Sequence, residues 1–102
     1  MFALEVLIPL TSNQGAAFPL AHHAAFEAFV TSRLGGFSRL LCTVAGQWVE
    51  AGITYHDTSV VYLIAIASLT DGARVGEVVA FAKTHYAQQA IFIRYLGVVE
   101  IL

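Results

Sequence analysis

The chain has 102 residues, 58% of them hydrophobic and only 12% charged, with a formal net charge of −2 at neutral pH. That length suits one domain, residues 1–102, with a core of its own, but the composition is more apolar than a soluble monomer of this size requires. The lysines and arginines, at positions 33, 39, 74, 83 and 94, form no basic stripe, which excludes an electrostatic footprint for nucleic acid.

Residues 2 to 8 (FALEVLI) are β-rich and stop at Pro9. The start MFALEVLIPL has no basic n-region and carries Glu5, so a signal peptide is not expected. A turn-forming loop follows, in which Asn13, Gly15 and Pro19 break regular structure. Residues 20 to 34 have helical period, with Ala25, Phe26, Phe29 and Val30 as the apolar stripe and His23, Glu27 and Thr31 on the opposite, watery side. Gly35-Gly36 ends this helix.

Residues 37 to 49 and 53 to 67 read as two strands. A connection of Glu50, Ala51 and Gly52 suits a type I turn plus a glycine bulge. That turn pairs Val49 with Ile53 and Gln47 with Tyr55, and puts Trp48 on one face with His56, which sits opposite Gly46. Cys42, the single cysteine, allows no intrachain disulfide, fits a reducing cytoplasmic compartment, and reads as a buried inert thiol. The longest apolar run, VVYLIAIA at 60 to 67, falls far short of the ~20 residues that cross a bilayer, so no membrane association is expected.

Thr70-Asp71-Gly72 offers an N-cap to a second helix, whose buried stripe is Val75, Val78, Val79, Ala82 and Tyr86. Residues 90 to 96 (AIFIRYL) are a last long strand, Gly97 suits a bulge, and 98 to 102 either continue that strand or re-pair as a short fifth one. The order is βαββαβ, an α+β ferredoxin-like arrangement with sheet order 4-1-3-2 and both helices on one face. In the first and third strands both faces are apolar: Val61, Leu63 and Ala65 oppose Val60, Tyr62, Ile64 and Ile66. Two helices cover one face only, so another copy of the chain is the expected cover for the other, making a homo-oligomer.

This topology gathers polar groups at one end, where the loop after the first strand, the hairpin tip and the turn before the last strand meet. Asn13, Gln14, Gln47, Trp48, His56, His85 and Gln88 are the candidate binding residues there for a small molecule. Metal chemistry lacks support, because His22 and His23 point about 100° apart on a helix and no two histidines have chelating spacing. His56 and Asp57 are strand neighbours on opposite faces and cannot share one proton, so no catalytic residue is assigned. No phosphate-cradling glycine motif occurs, and no cofactor is expected.

The whole chain resembles the superfamily of PII-type signal proteins and CutA divalent-cation tolerance proteins. GQWVEAGITYHDTSVVYLIAIAS looks like the CutA hairpin, and THYAQQAIFI is similar to its His-Pro-Tyr segment, at His85 and Tyr86. The proline between those two is absent, Cys42 matches the family's second-strand cysteine motif only roughly, and the PII phosphate-binding residues are missing. The resemblance implies a ferredoxin-like homotrimer, favoured over a dimer, with a ligand cleft at the subunit interface.

Three readings follow. The first is an oligomeric binding or regulatory module that engages a small ligand or protein partner at the loop end or subunit interface. The second is a cofactor-free enzyme of the dimeric α+β barrel type, with Glu5 or Arg94 as its ionisable group. The third is a self-associating structural protein.

Overall fold

The computed structural model describes residues 1–68 and 71–98. Its elements are β1 (Phe2–Pro9), α1 (Leu20–Leu34), β2 (Ser38–Glu50), β3 (Ile53–Ile66), α2 (Gly72–His85) and β4 (Ile93–Val98). The strands form one antiparallel sheet in the order β2-β3-β1-β4, the expected 4-1-3-2 arrangement read from its other edge. The expected short fifth strand falls on 99–102, outside the described residues; Val98 itself belongs to β4. Among the described residues no helix is long and apolar enough to cross a membrane.

Alternation along β1 and β3 decides what the helices cover. Leu4 pairs with Ile64, Val6 with Tyr62 and Ile8 with Val60, and this row forms the core with Phe26, Val30, Val75, Val78, Ala82 and Tyr86 from the helical side. Glu5, Leu7, Leu63 and Val61 belong to the other row. The α2 stripe is the expected one, with Val79 only half-buried. In α1 the buried row is His23, Phe26 and Val30, at i, i+3 and i+7, while Ala25 is exposed. The face is turned from the expected one because the bulky Phe26 and Val30 take its centre, which brings His23 inward rather than into water. Gly35 ends α1 in the left-handed conformation, as expected, its N–H bonded to the Thr31 carbonyl at 3.0 Å.

The hairpin differs from expectation by one residue. Glu50 pairs directly with Ile53, and Ala51 and Gly52 both have positive φ, 51° and 78°, so the loop is a two-residue turn of type I′ pattern. Since side chains alternate with period two, the shorter loop exchanges partners across the hairpin. Trp48 faces Tyr55, Gln47 faces His56, and Gly46 faces Asp57. A Cβ at Gly46 would overlap Oδ1 of Asp57, so glycine there makes room for that carboxylate rather than for His56.

Two irregularities shape the edges. Arg39 pairs with Tyr62 and Thr43 with Val60, so Leu40, Leu41 and Cys42 bulge out opposite Val61. This exposes Cys42, which sits on an edge strand instead of in the core. β4 starts at Ile93, later than its apolar run suggested, and its register slips beside Gly97, where φ is 98°. Asp71 occupies the N-cap of α2 without a cap hydrogen bond; its carboxylate accepts from the Ser68 N–H at 3.4 Å instead.

Candidate functional site

The first turns of α1 and the last turn of α2 meet in an aromatic cluster that local spacing does not announce. The His22 and His85 rings stack at 3.6 Å, 10° from parallel. His22 Nε2 donates to the His85 carbonyl at 2.6 Å, and His85 Nε2 donates to the His22 carbonyl at 2.7 Å. Phe18 stacks on His22 from the loop side at 4.8 Å, and Phe81 stacks on His85 at 5.0 Å. One helical position on, His23 Nδ1 lies 2.8 Å from the Tyr86 hydroxyl, in the buried interior. Burial, and then the neighbouring His22, lower the His23 pKa below its ordinary value. Burial raises the pKa of the Tyr86 phenol, with Tyr62 adding to it.

Beside this cluster lies a second one. Glu27 Oε2 accepts from the Tyr62 hydroxyl at 2.7 Å and from Arg39 Nη1 at 3.2 Å, tying α1 to β3 and β2. Burial raises the Tyr62 phenol too, assisted by the hydrogen bond to Glu27. The β2 bulge, the chain at Leu10, Ala17 and Phe18, and the start of α1 enclose a cleft of about 380 Å³. His23, Arg39, Cys42 and Thr43 are its polar lining residues, set among Leu10, Phe18, Leu20, Leu40, Leu41 and Val60.

The residues read from the sequence as a binding rim divide into two groups. Asn13 Nδ2 donates to the Ala87 carbonyl at 3.3 Å, and Gln88 Nε2 donates to Asn13 Oδ1 at 3.1 Å, so these two clamp the loop onto the end of α2. Gln14 is exposed beside them, its N–H donating to Ser12 Oγ at 3.3 Å. His85 belongs to the histidine stack. Gln47, Trp48 and His56 are elsewhere: the Leu10 N–H bonds the Thr58 carbonyl, and the hairpin runs roughly 15–20 Å further to its turn. There they form an exposed arm of cross-strand partners.

His23, Glu27, Arg39, Tyr62 and Tyr86 are not among the binding residues read from the sequence. A tyrosine inside the apolar run VVYLIAIA is one available signal, since a buried phenol needs a hydrogen-bond partner. Three histidines, His22, His23 and His85, border the Tyr86 ring here, but among the described residues no group of three His, Cys, Asp or Glu side chains could hold a metal ion. Glu5 and Arg94 pair with each other at 2.8 Å, in the row facing away from the helices. Neither lies on the helix-facing surface that the barrel-type enzyme reading requires.

No family model matches the sequence, and no curated protein matches it. Solved structures do match by fold. A phage SAM lyase in complex with S-methyl-5′-thioadenosine superposes with a TM-score of 0.73 at 14% identity, over 94% of this chain and 80% of that one. The divalent cation tolerance protein CutA1 from Thermus thermophilus gives 0.66 at 8% identity, over 99% and 86%. The periplasmic divalent cation tolerance protein CutA from Archaeoglobus fulgidus gives 0.64 at 9% identity, over 99% and 86%. At such identities the likeness is one of fold, and at that level the CutA resemblance read from the sequence holds.

Proposed function

We propose that the chain is a homo-oligomeric binding module, cytoplasmic, that takes a small molecule into the cleft beside the β2 bulge, with a second copy closing its open side. The observation that carries this is β2 itself. It is an edge strand of 13 residues with none buried, and it exposes Leu40, Leu41, Val44, Trp48 and Val49 beside and beyond the cleft. A long apolar edge of this kind is an aggregation hazard unless a partner covers it. The CutA resemblance favours three copies over two. The polar clamp of Asn13 and Gln88 would hold the loop that forms one wall. Native mass spectrometry of gently purified protein tests both parts, with a multimer carrying a retained small-molecule adduct as the expected spectrum. A monomer at micromolar concentration would sink the reading.

A second reading is favoured by the fold match to a SAM lyase that binds S-methyl-5′-thioadenosine. In it the same cleft accepts SAM and the protein cleaves it. Incubation with SAM followed by chromatography for S-methyl-5′-thioadenosine tests this directly; no release above a buffer control removes the enzyme reading and leaves the binding one.

A further inference from the structure

His23 is only 5% exposed, yet it lines the cleft. Its Nδ1 is taken by the Tyr86 hydroxyl. Among the described residues no buried side-chain nitrogen or oxygen lacks a partner, so Nε2, which makes no hydrogen bond there, keeps some exposure, and the cleft that His23 lines is the opening beside it. A side chain this deeply buried that keeps one polar atom free toward a cavity is placed to meet a ligand.

The Tyr86 side decides what that atom offers. The Tyr86 residue is fully buried, and among the described residues its hydroxyl has His23 Nδ1 as its one hydrogen-bond partner. Were Nδ1 the donor, the phenolic proton would be left without an acceptor in the interior, whereas unused lone pairs on the phenol oxygen cost less. The Tyr86 O–H therefore donates to Nδ1. The single ring proton of a neutral His23 then sits on Nε2, directed into the cleft. Burial keeps the ring neutral at neutral pH. Arg39 adds a cation to the same lining, with guanidinium N–H groups beyond the one that Glu27 accepts. Among the described residues the lining contains no aspartate or glutamate, and the remaining walls are largely apolar.

We propose that His23 is the hydrogen-bond donor that reads the cleft's ligand, its Nε2 proton held in place by Tyr86, and that the ligand is a small organic carboxylate with an apolar body. A carboxylate oxygen accepts from His23 Nε2, and its charge faces Arg39. The apolar part rests against Phe18 and the leucines of the bulge. This inference rests on the reading of the cleft as a ligand site and gives it a chemical class.

The test uses ¹⁵N-labelled protein and three probes of one shape: phenylacetate, phenylacetamide and 2-phenylethylamine. Imidazole ¹⁵N shifts should report His23 protonated on Nε2, and Tyr86→Phe should release that preference. Phenylacetate should shift the His23 Nε2 resonance and bind more tightly than either other probe. The double variant His23→Phe/Tyr86→Phe removes the donor while leaving no buried hydroxyl unpaired, and should weaken phenylacetate binding by about tenfold with the fold retained by circular dichroism. A His23 protonated on Nδ1 overturns the proposal, as does unchanged phenylacetate affinity in the folded double variant. Binding of the amide or the amine at cleft residues without preference for phenylacetate overturns the carboxylate class yet leaves the cleft a ligand site. Silence of the cleft residues toward all three probes overturns both.

Discussion

Trp48 and Tyr55 stack across the hairpin with ring centroids 4.5 Å apart and planes 17° from parallel, because the two-residue turn makes them direct cross-strand partners. Such a pair contributes about 0.5–1 kcal/mol beyond alanine. Tyr55→Ala should therefore red-shift the emission of the lone tryptophan and lower stability by about that amount. A double-mutant cycle with Trp48→Ala, followed by urea unfolding, should return a favourable coupling energy of the same size. Additive effects would mean that the stack does not form in solution.

The turn that creates this pair is itself improvable. Ala51 is a non-glycine residue at φ 51°, where its Cβ is penalised, while Gly52 at φ 78° is not. Asn-Gly is the favoured pair for this turn. Ala51→Asn should stabilise the protein by about 0.5–1 kcal/mol, which for a domain of this size raises Tm by several degrees. Gly52→Val should lower Tm, since a β-branched residue is strained there. Calorimetry on the two variants reads both signs.

Stability should depend on pH through two different sets of groups. The pKa of His23 is lowered from 6.5, so below that value the unfolded chain takes up a proton the folded chain resists. Its contribution is fully present above 6.5 and is lost as pH falls through the folded-state value. Tyr62 and Tyr86 are raised above 10, so their contribution is present below 10 and is lost as pH climbs past it. Urea midpoints should fall on both sides, and the double variant His23→Phe/Tyr86→Phe should flatten the acid limb. In an absorbance titration, two of the four tyrosines should ionise late.

Leu41 is 99% exposed at the β2 bulge, so its side chain has little packing within the chain to lose. Leu41→Lys should thus leave the unfolding of the single chain within about 0.5 kcal/mol of the parent and shift sedimentation velocity toward smaller species. Unchanged sedimentation would count against the proposed self-association through this edge.

A buried polar pair offers the sharpest contrast with such surface changes. Tyr62→Phe deletes the hydroxyl that Glu27 accepts at 2.7 Å, leaving the half-buried carboxylate with Arg39 alone. A hydrogen bond to a charged group contributes roughly 1.5–3 kcal/mol, and chemical denaturation should recover a loss in that range. A smaller loss would place water at the vacated position.

Element order and strand neighbours were legible because period-two and period-3.6 patterns are local properties of the chain. The stop at Gly35, the α2 stripe from Val75 to Ala82, and the two apolar faces of β3 all follow from such patterns. Faces within the hairpin were not, since a loop of two residues instead of three exchanges every partner, and both loops can be written with Glu50, Ala51 and Gly52. The candidate site was legible only in part. Asn13, Gln88 and His85 do gather at one end, while Gln47, Trp48 and His56 ride on the arm beyond it.

By itself the sequence determined the βαββαβ order and the surplus of apolar surface, both of which depend on neighbouring residues and composition. Only the tertiary structure decided that His23 points inward to Tyr86 and that Glu27 joins Tyr62 to Arg39. It also laid His22 against His85, across 63 positions of chain. Contacts between residues so far apart arise where the start of one helix is pressed against the end of another. Packing sets that meeting point, and no local period encodes it.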